Sequence, residues 1–144
     1  NGRLSITDSN MTRFNMTLKE SINMVLFVLK NSKGGEIFVP KIPSYKIIDL
    51  AKAICPKCKF EKIGIRQGEK IHEEMITSSD SFSTVDIGKY YIILPANKKK
   101  FINFYSRKFK LRKVIKGFSY NSGNNKTFLN ISNLRNLIKK NLKT

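Results

Sequence analysis

The sequence predicts an α/β fold, or α+β if the chain is taken as an isolated lobe, from three observations. Apolar residues recur at helical spacing within 17–31, 44–54 and 130–138. Short runs rich in Ile, Val, Phe and Tyr lie between them, at 36–39, 62–65 and 90–94. Gly, Pro, Ser and Asn clusters separate the two kinds of segment. At 144 residues with 40% apolar content and a mean hydropathy of −0.31, the chain has the size of about one domain with a core of its own. Its longest apolar run, MVLFVL at 24–29, is far below the roughly 18 residues of a membrane span.

Thr17 precedes the first helical pattern and Glu20 follows three residues later, which is the spacing of a capping box. Leu18, Ile22, Val25, Leu26 and Leu29 share one face, and Gly34-Gly35 ends the helix. A strand is expected at 36–39, closed by Pro40 and Pro43. Ser44 is expected to cap a second helix through about Ile54, with Ile47, Ile48, Ala51 and Ile54 on one face and Pro56 as the stop. A strand at 62–65 leads into RQGEK as a strand-to-helix connection, with a helix beginning over 70–76. SSDSFST is a polar loop, and YYIIL is a strand ended by Pro95. Residues 96–116 mix basic side chains with Phe101, Phe104, Tyr105 and Phe109 without a clear period. FSYNSGNN is built of turn formers, and Asn130 or Ser132 caps a last helix with Ile131, Leu134, Leu137 and Ile138 on its face. The chain begins NGRLSITD, without an initiator Met or a basic-then-apolar leader, and reads as a piece of a longer protein.

The net charge of +18 is unevenly spread, because all ten acids lie within 1–86 and residues 89–144 hold 15 basic groups. Such a segment would suit a phosphate-rich partner. Composition offers a second cause: Lys, Ile and Asn dominate, and all three have codons rich in A and T. Lys outnumbers Arg 22 to 6, although Arg is the better fork for phosphates and base edges. Cys55 and Cys58 in CPKC form only half of a zinc site, and they fall at the end of a helical pattern, not at a helix start. They are expected to be two reduced thiols in a cytosolic turn.

The densest cluster of reactive side chains is GIRQGEKIHEEMIT at 64–77. His72-Glu73-Glu74 resembles half of a zinc-protease helix, but position 76 is Ile and His72 is the single histidine. No metal is expected. Arg66 can fork two phosphate oxygens, Glu69 can accept from ribose hydroxyls, and Gly68 lets backbone approach a ligand closely. A helix start there would add an anion-favouring dipole. The alternative is a structural ion pair at a tight turn. Arg13 in MTRF is a second candidate phosphate ligand, or a surface arginine. No P-loop, dinucleotide glycine loop or tyrosine–lysine pair occurs, so no catalytic residue is expected in this chain.

The ordered set ITDSNMTRF, GGEIFVPKIPSYKIIDLAKAI, IGIRQGEKIHEEMIT, YYIILP and FSYNSGNN closely resembles the C-terminal part of inverting UDP-N-acetylglucosamine 4,6-dehydratases. These belong to the polysaccharide-biosynthesis group of the extended short-chain dehydrogenase/reductase family. The resemblance implies an N-terminal Rossmann half, absent here, that binds NADP and carries the catalytic tyrosine, lysine and acid. It implies that this chain is the lobe that clamps UDP-N-acetylglucosamine. The family reaction takes hydride from C4, eliminates water across C5 and C6, and returns the hydride to C6 with inversion at C5. Residues 1–95 would be the substrate-binding lobe, and 96–144 a basic extension with a closing loop at 118–125. Position by position, Arg13 and Arg66 are implied as diphosphate contacts and Glu69 as a ribose acid. Ile47 is implied near uracil or ribose, and Tyr120 to Asn125 as a segment folding over the site. The resemblance further implies a cytoplasmic homo-oligomer that makes a 4-keto-6-deoxy sugar for surface polysaccharide or flagellin glycan, such as the pseudaminic acid route. The family motif reads R-P-G-E-K, whereas Gln67 stands here in place of proline. The competing function class is a basic module for nucleic acid or an anionic surface; the resemblance implies no nucleic-acid partner.

Overall fold

A computed structural model describes residues 2–141. In chain order the elements are β1 (Arg3–Ile6), β2 (Thr12–Phe14), α1 (Leu18–Asn31), β3 (Ile37–Pro40), β4 (Ser44–Lys46), α2 (Ile47–Ile54) and β5 (Lys59–Lys62). They continue with β6 (Glu74–Ile76), a 3₁₀ turn (Asp80–Ser83), β7 (Thr84–Asp86), β8 (Tyr90–Ile93), α3 (Lys98–Lys108), β9 (Arg112–Lys113), β10 (Tyr120–Asn121) and α4 (Ile131–Asn141). This mixture of helices and small sheets is the α/β lobe the sequence predicts. The chain forms two compact units. The first takes the described residues of 1–15, 42–73 and 121–144, and the second takes 16–41 and 74–120.

The first unit is assembled from strand pairs. β1 runs parallel to β5, with Arg3 opposite Lys59 and Ile6 opposite Lys62. β2 runs antiparallel to β4, with Arg13 opposite Tyr45 and Phe14 opposite Ser44. Helices α2 and α4 pack together, and Arg135 donates to the Lys52 carbonyl at 3.3 Å. Asn130 caps α4, its Oδ1 accepting from the Asn133 N–H at 2.8 Å. The chain leaves and re-enters this unit at neighbouring points. The Asn15 N–H donates to the Pro43 carbonyl at 2.8 Å, and the Ser122 N–H donates to the Glu73 carbonyl at 2.8 Å.

Three expectations are corrected here. Ser44 does not cap α2: it is a fully buried strand residue, its N–H bonded to Thr127 O and its carbonyl to Leu129 N. Those bonds hold it extended, so α2 starts at Ile47, with Lys46 as a cap that makes no side-chain bond. The helix expected over 70–76 is absent. The Ile71 carbonyl accepts from Thr12 N at 3.0 Å and the Glu73 carbonyl from Ser122 N, so partners distant in sequence draw this stretch into extended chain. Cys55 and Cys58 are joined as a disulfide rather than standing as two thiols. A turn in which Cys58 N donates to Cys55 O brings their Cα atoms to 5.4 Å, within bridging range. The fifth strand also begins earlier than the apolar run suggests, because Lys59 N donates to Gly2 O at 3.1 Å.

The second unit is built on an antiparallel sheet of order β3-β8-β7-β9. On central β8, Tyr90 and Ile92 are buried while Tyr91 and Ile93 turn to the other face. Phe38, Val85, Tyr90, Ile92, Leu94, Phe101 and Tyr105 form one apolar core. Phe27 of α1 stacks on Tyr90 with ring centroids 4.6 Å apart. The capping box of α1 forms as its spacing predicts: Glu20 N donates to Thr17 Oγ1, and Thr17 N to Glu20 Oε2. Residues 96–116 contain α3, whose Phe101 and Tyr105, four apart, both point into the core. Tyr105 donates its hydroxyl to Glu36, whose carboxylate also accepts from Lys33 N at 2.5 Å. Burial, then the bond to Glu36, pushes the Tyr105 phenol up. Burial alone would raise the Glu36 carboxyl, but the Tyr105 hydroxyl and nearby backbone N–H groups outweigh it and hold the group below its ordinary value.

Candidate functional site

Arg13 and the 64–73 stretch converge in the first unit. The Arg13 guanidinium is tied to the chain: Nη1 donates to Thr12 O at 2.7 Å and to Ile71 O at 3.2 Å, and Nη2 contacts Met11 Sδ at 3.0 Å. Its Nε lies 3.8 Å from Glu73 Oε1, a loose ion pair. The other carboxylate oxygen of Glu73 accepts from Phe14 N at 2.8 Å. Nη1 of Arg13 thus points at two carbonyls, while its Nε edge faces an acid across a loose gap. Opposite Arg13 sits Tyr45, whose phenol burial raises above the ordinary range, with the Glu73 charge adding to the effect.

Arg66 to Glu69 close a tight turn, with Glu69 N donating to Arg66 O at 3.0 Å. Gly68 has φ +80°, and no non-glycine residue among those described has a positive φ. An i-to-i+3 bond with positive φ only at the third position is the type II turn, which needs glycine there and favours proline at the second position. Gln67 occupies that second position. Glu69 returns Oε2 to Arg66 N at 3.2 Å and Oε1 to the Thr7 hydroxyl at 3.4 Å. The Arg66 guanidinium is exposed and makes no hydrogen bond or ion pair among the described residues. Arg66 is free to take a ligand, and Glu69 is spent in part on holding the turn. The dipole of a helix start adds nothing here, since no helix follows.

Ile47 is half-buried, its N–H bonded to Met11 O at 2.9 Å, so the start of α2 abuts the strand that carries Arg13. Asn125 commits its amide to Ile42 O at 2.8 Å and Ser44 Oγ at 2.9 Å, fastening the 118–125 segment at its end. Tyr120 belongs to the second unit, where it is buried with its ring 5.5 Å from Tyr91. Arg13, Ile47, Arg66, Glu69 and Asn125 therefore share one unit, and Tyr120 does not.

A second set of residues escapes sequence reasoning. Thr12 Oγ1 lies 2.8 Å from His72 Nδ1 and 2.7 Å from Ser122 Oγ. Ser122 Oγ also accepts from Glu73 N at 2.9 Å and donates to Thr12 O at 3.1 Å. No period or motif marks two hydroxyls 110 residues apart as partners; only the fold shows it. Among the described residues, no group of three or more His, Cys, Asp or Glu is placed to hold a metal ion.

The chain matches the family described as polysaccharide biosynthesis protein over residues 1–95. It belongs to that family. It is 46% identical over 126 residues to an inverting UDP-N-acetylglucosamine 4,6-dehydratase of Campylobacter jejuni serotype O:2, covering 85% of this chain and 38% of that protein. A second inverting dehydratase, from Campylobacter jejuni serotype O:23/36, is 42% identical over 94% of this chain and 42% of its own length. A UDP-glucose 4-epimerase of Rickettsia canadensis is 43% identical over 62% of this chain and 28% of its own. The solved structure of Pen from Bacillus thuringiensis superimposes with a TM-score of 0.73 at 27% identity, covering 96% of this chain and 41% of that one. This family member thus spans about two fifths of the dehydratases it matches. No described helix is long and apolar enough to cross a membrane.

Proposed function

We propose that this chain is the UDP-sugar-gripping, C-terminal part of an inverting UDP-N-acetylglucosamine 4,6-dehydratase, a cytoplasmic, homo-oligomeric enzyme. The observation that carries the reading is the 46% identity to a protein of that name across 85% of the chain. The geometry is compatible with it: one anchored arginine and one uncommitted arginine lie on the same unit. Arg13 is the preset diphosphate ligand, because its guanidinium is already oriented by two carbonyls. Arg66 is the mobile one, carried on a turn whose backbone is fixed by Glu69. Glu69 would turn its carboxylate toward the ribose, and Ile47 would lie beside the nucleoside. Asn125 fastens the closing segment that contains Tyr120.

In this reading 1–95 is the shared lobe and 96–144 its basic extension. The NADP that removes and returns hydride is held elsewhere. The product would enter surface polysaccharide or flagellin glycan synthesis, as in the pseudaminic acid route.

Titration with UDP tests the grip. Arg66→Ala should weaken UDP binding by about 1.5–3 kcal/mol, the scale of hydrogen bonds to charged groups. Equal affinity of the parent and the variant would remove Arg66 from the site.

A further inference from the structure

We infer that His72 is a positioning residue for Arg13, acting through a chain of hydroxyls that fixes which ring nitrogen carries its proton. The inference rests on the proposed diphosphate role of Arg13. Ser122 is fully buried and Thr12 nearly so, so their hydroxyls are satisfied by the protein alone. Three groups meet Ser122 Oγ: the Glu73 N–H, the Thr12 carbonyl and the Thr12 hydroxyl. An N–H can only donate and a carbonyl can only accept. The Ser122 proton therefore goes to the Thr12 carbonyl, and the Thr12 hydroxyl must donate to Ser122. With its proton used, Thr12 Oγ1 can only accept from His72, 2.8 Å away. Nδ1 of His72 thus bears hydrogen, and Nε2 is the outward edge of the ring.

The same carbonyl closes the circuit. Thr12 O receives the Ser122 hydroxyl on one side and Arg13 Nη1, at 2.7 Å, on the other. Arg13 Nη1 also reaches the carbonyl of Ile71, the residue before His72, at 3.2 Å. A shift of His72 would move Thr12 and the 71–73 backbone together, and with them both carbonyls that aim the guanidinium. Gly123 leaves room for the ring: a Cβ at 123 would lie 2.7 Å from its Cγ and Nδ1. Any side chain there would drive the imidazole off Thr12. The H-E pair of the 64–77 cluster is thereby placed as the support of Arg13, with Glu73 at the guanidinium's Nε edge and His72 behind its carbonyls.

Two measurements on the 144-residue chain test this. His72 is the single histidine, so long-range proton–nitrogen NMR reports its tautomer without ambiguity. The Nδ1–H form is expected, and a ring protonated at Nε2 alone would overturn the relay. UDP affinity is then compared among variants. In His72→Asn the side-chain amide takes the place of Nδ1–H, whereas in His72→Gln it sits where Nε2 was. His72→Asn should bind UDP within about twofold of the parent, while His72→Gln and Thr12→Val should lose roughly tenfold, the scale of one lost hydrogen bond. Equal loss in both histidine variants, or loss in neither, refutes positioning through Nδ1. Should Thr12→Val fail to fold, the histidine pair decides. Arg13→Ala separates the two layers. If Arg13→Ala binds UDP as tightly as the parent, or the parent itself does not bind UDP, the diphosphate reading fails, and the relay is then judged by the tautomer alone.

Discussion

In the second unit the residues withdrawn from water are chiefly Phe38, Val39, Ile76, Val85, Tyr90, Ile92, Leu94, Phe101 and Tyr105. In the first, Asp8, Thr12, Ser44 and Ser122 share the interior with Ile6, Met11, Ala51, Ala53 and Leu134. One unit is held by stacked rings and apolar area, which act without direction. The other adds to its apolar residues a buried network of hydrogen bonds whose donors and acceptors must match one for one. Asp8 shows the contrast well: Lys62 at 2.5 Å and Asn10 N at 2.8 Å hold its carboxyl below the ordinary range despite its inaccessibility. Directional interiors set geometry, and Arg13 and Arg66, the proposed diphosphate ligands, lie in that unit.

Three substitutions break or sharpen that contrast. The largest effect is expected for Ile92→Ala, which empties a position of zero exposure in the aromatic core and should cost about 2–5 kcal/mol by urea denaturation. Hydrogen exchange should rise across β3, β7 and β8 first; an equal rise at the Glu73 amide would show that the two interiors unfold as one. Next is Ser122→Ala, which strands the Glu73 N–H and the Thr12 hydroxyl and should cost about 1–3 kcal/mol. Its exchange signature should be confined to 12–14, 71–73 and 122–123, and a loss spread through the apolar core would contradict a local network. The smallest is Gln67→Pro. The type II turn already has the backbone that proline prefers at this position, and Gln67 N is not a donor in the turn bond. The change should stabilise by about 0.4–1 kcal/mol, by restricting the unfolded chain. Destabilisation would mean that the turn is of another type.

The sequence was readable where a local rule and the fold agree. Thr17 and Glu20 mark the start of α1 because both partners of the capping box lie within four residues. Strand β8 is legible because its apolar run fills a central position, and α4 because Asn130 caps it. Legibility fails where the partner is remote. Ser44 has the credentials of a helix cap, yet Thr127 and Leu129 claim its backbone from more than eighty residues away. Residues 70–76 carry a helical composition but are pulled straight by Thr12 and Ser122. Helix α3 was hidden because its lysines swamp the Phe101–Tyr105 pair that faces the core. Of the candidate site, Arg13, Arg66 and Glu69 stood out as residue types; the structure holds the Arg13 and Glu69 side chains by hydrogen bonds and leaves the Arg66 guanidinium exposed. The hydroxyls that hold His72 left no local trace, since a Thr and a Ser 110 residues apart obey no period.

The bonds from Asn15 to Pro43 and from Ser122 to Glu73 have a consequence for how the polypeptide can be rewired. At both places the residue where the chain departs and the residue where it returns are already within hydrogen-bonding distance. In chain order, residues 16–41 and 74–120 are therefore two inserts in one host, each flanked by host residues that are hydrogen-bonded to each other. Short glycine bridges between those flanking residues would give a single continuous miniature of the host that retains Arg13, Arg66, Glu69, His72 and Ser122. Read this way, the order of the chain is a poor guide to what belongs together, and the arginine-bearing unit is a module in three pieces.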